Sequence, residues 1–370
     1  MRISIDWLKE FVDVPSSTEK TADMLTMLGL EAEQGLDAAN LNDIIIGEVK
    51  EKVKHPNADK LSLCQVFDGN NILPVVCGAP NVDTGQKIAF APVGSVLPGD
   101  FKIGKAKIRG EVSKGMICSE SELGISDEHD GIMVLNANAK VGSSFVQYIQ
   151  ENALSIELDI TPNRPDCFSH LGVARDISVK ISSPLRSPDY QPRPFTKSEV
   201  EDWISVEFEN IDECPRYIAG IVKNVKVGPS PDWLKNRLES IGQRSINNIV
   251  DISNFVMMEM GHPTHMFDYD KFGSKTVLIR RGKKGEKITT LDEIERKLSQ
   301  EQLLITNGKI PVAIAGVMGG LDSAVSKETT TVLIESAYFD APTIRKGAKS
   351  LGMSTDASKR FERGADPNGA

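Results

Sequence analysis

Short apolar runs alternate with turn-forming residues between residues 41 and 150, which is the pattern of a small antiparallel β domain. Gly, Pro, Asn and Asp separate the runs, and these residues favour tight turns. Several short strands within about a hundred residues indicate a small barrel or a sandwich, and a five-stranded barrel of the OB type fits. The predicted strands cover residues 44–49, 61–67, 74–77, 87–91 and 131–135.

The flanking segments combine strands with helices. Residues 1–40 are predicted to form a strand and a helix, with Ser17 or Thr18 as the N-terminal cap. Residues 151–182 return to mixed structure, in which Ser169 can cap a second helix. The apolar positions of both helices are expected to face a core.

Four prolines within eleven residues form a stiff linker at residues 183–200, the clearest domain boundary in the chain. These are Pro184, Pro188, Pro192 and Pro194. Residues 201–370 then mix helices with predicted strands, so we expect a multidomain α+β protein. A helix is predicted to start with Ser230 as its cap and Pro231 in its first turn.

Composition places the chain among globular proteins without a membrane segment. It has 370 residues, of which 40% are hydrophobic and 26% charged, and no apolar run approaches the length of a bilayer span. The N-terminus lacks the apolar centre of a signal peptide, so a cytoplasmic location is expected. The five cysteines are widely spaced and form no C-x-x-C, which favours reduced thiols over a disulfide framework or a zinc site.

A local basic stripe stands out on an acidic chain. The formal net charge is −9, so a nucleic-acid partner has to be held by a local patch, and we expect no DNA partner. Between residues 100 and 114, five cations oppose only two carboxylates. Such a stripe can follow a phosphate backbone, but it can equally be a solvated edge that discourages aggregation. The five candidate tRNA-binding residues are Lys102, Lys105, Lys107, Arg109 and Lys114.

Familiar catalytic motifs are missing from the sequence. It contains no G-x-x-x-x-G-K-[ST], G-x-G-x-x-G, H-E-x-x-H or G-x-S-x-G segment. The only cysteine after the linker is Cys214, and no convincing nucleophile is present. If residues 201–370 hydrolyse a bond, a positioned water molecule has to attack it.

The segment GHPTHMFDYD at residues 261–270 is the best candidate for a binding site. His262 and His265 lie three residues apart, but the further ligands that zinc requires are absent, so no metal is predicted. His265 either faces a cleft or is a satisfied histidine at a domain edge. The glycines of AGVMGG at 315–320 either form a tight turn or let the backbone approach a ligand closely. Glu335 ends an apolar run and either reaches solvent or enters a pocket.

Three motifs between residues 55 and 125 carry a family resemblance. They are HPNADKLSLCQVFDG at 55–69, VVCGAPNVDTGQKIAFAPVG at 75–94 and SKGMICSESELGI at 113–125. In this order they resemble the tRNA-binding OB module that is appended to several aminoacyl-tRNA synthetases. The resemblance implies that residues 41–150 are an OB-fold tRNA-binding domain.

Five further motifs resemble the β subunit of bacterial phenylalanyl-tRNA synthetase. They are LDITPNRPDCFSHLGVARDI at 158–177, RSINNIVDISNFVMMEMGHPTHMFD at 244–268, VAIAGVMGG at 312–320, LIESAYFD at 333–340 and STDASKRFERGADP at 354–367. The resemblance implies that 1–40 and 151–182 form one split domain. It also implies that 201–370 is an editing domain, truncated at its C-terminus, that hydrolyses tyrosine wrongly esterified to phenylalanine tRNA.

The resemblance also implies the site residues and their roles. His265, Glu335 and Thr355 would be catalytic: Glu335 would read the phenol of tyrosine, and the other two would position water or the ester. His262 departs from the glutamine that is common in the family, so its side chain is given no role. Six basic residues are expected either to guide the tRNA acceptor end or to form a solvated face: Arg345, Lys346, Lys349, Lys359, Arg360 and Arg363. The remaining pocket residues would be Arg244, Asn248, Gly316, Gly319, Gly320 and Ala357.

Partners and cofactors follow from the same resemblance. The complete subunit would pair with a catalytic α subunit as an α2β2 heterotetramer and would bind tRNA(Phe). ATP and Mg²⁺ would serve the complete enzyme, whereas this fragment itself needs no cofactor. The alternative function is a non-catalytic tRNA-binding or assembly module.

Overall fold

The computed structural model describes residues 1–15, 17–34, 41–125, 131–152, 155–187 and 199–370. The strands in chain order are β1 Arg2–Ser4, β2 Glu31–Gln34, β3 Ile45–Lys54, β4 Ser62–Phe67, β5 Ile72–Cys77, β6 Lys87–Ala91, β7 Val96–Leu97, β8 Phe101–Lys102, β9 Ala106–Ile108, β10 Glu111–Ser113, β11 Met116–Ile117, β12 Val134–Leu135, β13 Ser155–Asp159, β14 Ser205–Phe208, β15 Arg216–Lys223, β16 Thr264–Asp268, β17 Thr276–Arg281, β18 Lys287–Thr289, β19 Glu295–Lys297, β20 Leu303–Thr306, β21 Pro311–Ile314, β22 Met318–Gly319 and β23 Thr331–Tyr338. The helices are α1 Ile5–Phe11, α2 Thr18–Met27, α3 Phe145–Asn152, α4 His170–Ile181, α5 Asp232–Glu239, α6 Asn248–Met260, α7 Tyr269–Phe272, α8 Ala341–Ser350 and α9 Asp356–Phe361.

The chain divides into two compact units, one made of Met1–Gln34 with Ser155–Ala370 and one made of Gly35–Leu154. The mixture of helices and sheets confirms the α+β class. The predicted domain boundaries stay predictions, and three prolines of the predicted linker, Pro188, Pro192 and Pro194, lie outside the described residues. Among the described helices, none combines the length and the apolar character that crossing a bilayer requires.

The unit Gly35–Leu154 is built on an antiparallel sheet in the order β11-β6-β3-β4-β5, with β12 also paired to β6. The backbone N–H of Lys114 donates to the carbonyl of Pro74 at 2.8 Å, which joins the segment between β10 and β11 to β5 and nearly closes the sheet into a barrel. Strand β6 is buried on both faces: Ala89 packs in one apolar cluster and Phe90 in a second. The five strands predicted here correspond to β3, β4, β5, β6 and β12; the ends of β6 are as predicted, and those of the other four are shifted.

In the other unit, β13 lies between β1 and β2 in an antiparallel sheet. Helices α1 and α6 share an apolar core with this sheet. In that core, Trp7 of α1 packs in the same cluster as Met257 and Met258 of α6. The indole N–H of Trp7 also donates to Glu259 Oε2 at 2.9 Å. The described part of the first forty residues contains two helices, α1 and α2, where the sequence pattern predicted one.

One predicted helix cap is wrong. Helix α5 begins after Pro231, which makes no side-chain cap, and the hydroxyl of Ser230 donates instead to Asp251 Oδ2 at 2.5 Å. A hydrogen bond to a buried carboxylate is worth more than one capping bond, so the serine is diverted to it. The caps predicted at Ser17 and Ser169 are confirmed, since each accepts a backbone N–H in the first turn of its helix.

Two sheets carry the C-terminal half. One has the order β14-β17-β20-β21-β22, and the other is antiparallel with β23 between β15 and β16. Both contribute to one apolar core, to which Phe267, Leu304 and Phe339 belong. Helices α8 and α9 add Ile344 and Phe361 to that core. The site described below lies on the second sheet.

Candidate functional site

A small cavity of about 60 Å³ lies beside the central strand β23. Its wall joins residues from β16, β21, the glycine turn that follows β21, β23 and α9. Five residues that the sequence predicted for one pocket line it together: His265, Gly316, Gly319, Glu335 and Ala357. The other lining residues are Pro263, Thr264, Ala313, Ile314, Val317, Met318 and Phe361.

Strand register places the two ionisable groups on one face. His265 of β16 is the direct cross-strand partner of Glu335, and Ala219 of β15 is its partner on the other side. Directly opposed residues of antiparallel strands project to the same face of the sheet. The imidazole and the carboxyl therefore both reach the cavity.

Glu335 is a buried carboxyl with one hydrogen-bond partner among the described residues. Only 7% of the residue is exposed, and its Oε2 accepts a hydrogen bond from the phenol of Tyr217 at 2.8 Å. Burial raises the pKa of Glu335 to about 7, against the opposing effect of the Tyr217 hydrogen bond. The group therefore titrates near neutral pH, which is typical of carboxyls at functional sites.

His265 is a neutral imidazole at neutral pH. Burial lowers its pKa to about 4, and its Nε2 is buried with no hydrogen-bond partner among the described residues. The ring packs edge-on against Phe267, with ring centroids 4.4 Å apart. Because an unpaired buried nitrogen is costly, this atom is suited to a hydrogen bond with a ligand or an ordered water molecule.

The glycine turn packs directly against this imidazole. A Cβ atom at Gly319 would lie 2.3 Å from His265 Cε1, so only glycine allows the approach. Gly316 has a φ of +64°, which also favours glycine. Gly320 does not line the cavity; its N–H donates to the carbonyl of Val312 at 2.8 Å, which holds the turn against β21.

Thr355 supports the cavity wall through its hydroxyl. It caps α9, where Oγ1 accepts the N–H of Ser358 at 3.0 Å, and it donates to the carbonyl of Val317 at 2.8 Å. The hydroxyl thus ties α9 to the glycine turn. Its predicted role in positioning water stays a prediction, and Thr355 is not among the lining residues.

Two other predicted pocket residues lie apart from the cavity wall. Asn248 begins α6, and its side chain accepts from the N–H of Gly228 and donates to the carbonyl of Lys226. Arg244 is exposed. Neither residue lines the cavity, and their predicted contribution to the pocket stays a prediction.

His262 is buried but lies outside the cavity wall. It is 4% exposed, and neither ring nitrogen makes a well-formed hydrogen bond within the described residues. Burial lowers its pKa, and the carbonyl of Ala337 and the carboxylate of Asp366 oppose this shift. Its ring lies edge-on to Phe361, with centroids 5.9 Å apart.

One cluster in the described part of the chain has metal-ligand spacing, and it contains neither histidine. It consists of Asp166, Cys167 and Asp176. The Arg164 guanidinium already donates to all three side chains, at 2.7, 2.8 and 2.6 Å respectively. The positive charge of Arg164 therefore already sits among these three side chains, so the cluster is not a candidate metal site.

The five residues of the basic stripe are all exposed and lie from β8 to the segment before β11. Lys102 ends β8, Lys107 lies within β9, and Arg109 stands in the β9–β10 turn with a φ of +52°. The ion pairs formed within the described residues involve none of the five. Because all five side chains are exposed, an anionic partner can reach them.

The expectation that Arg360 faces solvent or guides tRNA is wrong. This residue is 2% exposed, and its guanidinium donates to the carbonyls of Phe168 and Asp356 at 3.1 and 2.8 Å. Helix α9 turns this side chain inward, whereas Lys359 beside it is exposed. A helical run of charges did not show which of its members faces the core.

Two residues that contact the predicted site were not identified from the sequence pattern. Tyr217 holds the carboxyl of Glu335, and Phe361 closes the cavity from α9. The alternation along β15 would have put Tyr217 on the same face as Ala219. Nothing local, however, indicated that β15 pairs with β23.

Comparisons with known proteins show what this chain is similar to. Residues 44–144 match the putative tRNA binding domain family, and residues 213–370 match the B3/4 domain family. The phenylalanine-tRNA ligase beta subunit of Halalkalibacterium halodurans is 48% identical over 99% of this chain. The chain is a relative of the phenylalanine-tRNA ligase beta subunits. The corresponding subunit of Geobacter sulfurreducens is 46% identical, also over 99% of this chain.

The resemblance stated from the motifs is therefore confirmed over nearly the whole chain. The chain covers 46% of each of these two relatives and so spans about half their length. A solved N-terminal fragment of the beta subunit from Pyrococcus horikoshii is 18% identical, covers 54% of this chain and 60% of its own, and has a TM-score of 0.30. That overlap is too small to bear on the fold.

The opposite pKa shifts at Glu335 and His265 predict a pH effect on stability. The folded state binds more protons at Glu335 than the unfolded state does between pH 4.5 and about 7. The stabilisation of wild type relative to Glu335→Gln should therefore be complete below pH 4.5 and lost by about pH 7, a change on the order of 3 kcal/mol. Urea unfolding of both proteins across this range measures it.

The matched control is His265→Gln, for which the sign is reversed. The folded state binds fewer protons at this imidazole between about pH 4 and 6.5, so the wild-type advantage should grow as pH rises through that range. Parallel pH curves for wild type and both variants would contradict the assigned burial of the two groups.

Proposed function

We propose that this chain binds tRNA(Phe) and hydrolyses tyrosine wrongly esterified to it, as the editing part of a phenylalanyl-tRNA synthetase β subunit. One observation carries the proposal: a buried carboxyl, Glu335, and an unpaired neutral imidazole, His265, line the same cavity. The matches to a B3/4 domain and to phenylalanine-tRNA ligase beta subunits support it.

A carboxyl in this position gives the discrimination that a synthetic site lacks. Tyrosine is phenylalanine plus one hydroxyl, and an apolar pocket rejects an added hydroxyl by only on the order of a hundredfold. A second site can require that hydroxyl. Glu335 would accept a hydrogen bond from the phenol of tyrosine, whereas phenylalanine would leave the buried carboxylate short of a donor.

The attacking group in this mechanism is water. The lining residues include no serine or cysteine, and His265 is neutral and has an unpaired nitrogen. His265 Nε2 can accept a proton from a water molecule as that water attacks the ester carbonyl, and the imidazolium can return this proton to the ribose oxygen that leaves when the ester bond breaks. The backbone of the glycine turn forms the facing wall, and Thr355 holds that wall in place.

The cavity has to open for a tyrosyl group to enter. Its volume of about 60 Å³ holds a few water molecules, whereas pockets for small ligands commonly measure roughly 300–1,000 Å³. Gly319 packs directly against the imidazole, so in this proposal the cavity widens when the glycine turn moves away from His265 and gives up the bonds that Thr355 and Gly320 make to it.

The exposed basic stripe of Lys102, Lys105, Lys107, Arg109 and Lys114 would hold the tRNA backbone, on the unit with the nearly closed barrel-like sheet, which would be an OB-fold domain. The catalytic α subunit, an α2β2 assembly, ATP and Mg²⁺ belong to the complete synthetase in this proposal. A cytoplasmic location follows from the same role.

The proposal is tested with the 370-residue chain and with Tyr-tRNA(Phe) and Phe-tRNA(Phe) as substrates. We expect faster release of tyrosine than of phenylalanine, because only tyrosine supplies the donor for Glu335. His265→Ala should slow the release of tyrosine by roughly 10²-fold or more, the usual contribution of a positioned acid or base. Retention of both aminoacyl-tRNAs without hydrolysis would instead favour the non-catalytic tRNA-binding or assembly module.

A further inference from the structure

One oxygen of the Glu335 carboxyl accepts a hydrogen bond within the described residues, and the other accepts none. Oε2 accepts the phenol of Tyr217, and no other described residue makes a hydrogen bond to this carboxyl. Oε1 has no hydrogen-bond partner among the described residues, and it is not one of the fully buried atoms without a partner, so part of its surface is accessible. Since Glu335 lines the cavity, Oε1 is the oxygen that a ligand there can reach.

Tyr217 acts on Glu335 from outside the cavity. It lies on β15, whereas His265 lies on β16, and β23 with Glu335 runs between the two strands. Tyr217 is the cross-strand partner of Ala337, one step diagonally from Glu335 on the same face. It does not line the cavity, so a ligand could bind at Oε1 without displacing the Tyr217 phenol.

We propose that Tyr217 is a positioning residue: its phenol fixes Glu335 Oε2 so that Oε1 is presented to the phenol of a bound tyrosyl group. This inference rests on the proposed function and adds a residue that determines its specificity. An ionised carboxylate has lone pairs for several donors, so it can accept both phenols at once. A carboxyl without Tyr217 could rotate and present neither oxygen at a fixed place.

The chemistry of Tyr217 suits this role. Burial, and then the Glu335 charge, raise the pKa of the phenol well above its usual value, so it remains a donor. The titratable groups near the carboxyl are Tyr217 on β15, His265 on β16 and Cys214, whose thiol pKa is also raised by burial and by Glu335. Among these, Tyr217 alone donates to the carboxyl.

The test is Tyr217→Phe, which removes the hydroxyl and keeps the ring. The matched control is Tyr269→Phe, because the Tyr269 hydroxyl donates to the carbonyl of Trp203 at 2.7 Å and does not touch Glu335. The first readout is the titration of the Glu335 carboxyl carbon by NMR, with Glu335→Gln used to assign the signal. The Tyr217 hydrogen bond lowers the pKa of Glu335, so Tyr217→Phe should raise it above about 7 and Tyr269→Phe should not.

The second readout is deacylation, with kcat and KM measured separately. Tyr217→Phe should lower kcat/KM for Tyr-tRNA(Phe) roughly tenfold and leave that for Phe-tRNA(Phe) unchanged, since only the tyrosyl group needs Oε1 in place. A carboxyl titration identical to wild type would overturn the inference. So would an unchanged or faster release of tyrosine, because Tyr217 would then be irrelevant to the ligand or would compete with it.

Failure of the proposed function gives a different result. If wild type releases no tyrosine, that function fails, and the specificity role of Tyr217 fails with it. The NMR titration would then still show whether Tyr217 holds the carboxyl. If wild type is active and only the Tyr217→Phe comparison fails, the proposed function stands and the positioning role is removed.

Discussion

Replacing Glu335 by alanine is expected to slow the release of tyrosine from Tyr-tRNA(Phe) by roughly 10- to 100-fold, the value of a hydrogen bond to a charged acceptor. Release of phenylalanine should change far less, so the preference for tyrosine should collapse. This difference is expected because Glu335 lines the cavity and would accept a hydrogen bond that only the tyrosyl group can donate. Rates with both aminoacyl-tRNAs, measured on the same preparation, give the result.

Glu335→Gln separates charge from shape in this experiment. The amide keeps the size of the side chain and can still accept a hydrogen bond, so its activity should lie between those of wild type and Glu335→Ala. Glu207→Ala is the control for a surface carboxylate, because Glu207 is exposed on β14. Equal loss of both release reactions in Glu335→Ala would show damage to the fold rather than loss of discrimination.

The same carboxyl predicts the pH dependence of editing. Accepting a phenol hydrogen bond favours the ionised form of Glu335, whose pKa is about 7. The release of tyrosine should therefore increase as pH rises through about 7, and this limb should disappear in Glu335→Gln. A limb that persists in the glutamine variant would assign the titration to another group.

Asp251→Ala is expected to reduce the free energy of unfolding by about 3–5 kcal/mol, because three hydrogen-bond donors lose their acceptor at roughly 1–3 kcal/mol each. Asp251 is 0% exposed and accepts hydrogen bonds from the hydroxyls of Ser230 and Ser245 and from the N–H of Ile246. These bonds join the start of α5 to the segment that enters α6. Urea denaturation measures the loss as a lower midpoint at an unchanged slope.

Two further variants serve as comparisons for the stability of Asp251→Ala. Asp251→Asn retains one acceptor oxygen and should lose less stability than Asp251→Ala. Asp322→Ala removes an exposed aspartate of the same unit and should be close to neutral. A loss in Asp251→Ala no larger than that in Asp322→Ala would mean that the hydrogen bonds of Asp251 do not support the fold.

Local physics made much of the secondary structure predictable. The strand β6 was predicted with its ends in place, and the caps at Ser17 and Ser169 were found because a short polar side chain before an apolar helix has few other uses. Ser230 shows the limit of that reasoning. Its hydroxyl had a stronger partner, Asp251, twenty-one residues away, which no local rule considers.

The candidate site was only partly predictable for the same reason. His265, Gly319 and Glu335 stood out in motifs, and the structure places them around one cavity. The structure leaves Arg244 and Asn248 away from the cavity wall and gives the Thr355 hydroxyl two partners in the protein. A motif names residues, but the direction of each side chain depends on how its element packs.

By itself, the sequence determined the α+β class, the positions of most strands in the barrel-like unit and the relationship to phenylalanine-tRNA ligase beta subunits. Only the tertiary structure decided that Tyr217 holds Glu335 and that Arg360 is buried. Tyr217 and Glu335 lie 118 residues apart, and their contact depends on the register of β15 against β23. Register is set by packing across the whole sheet, so no stretch of sequence contains it.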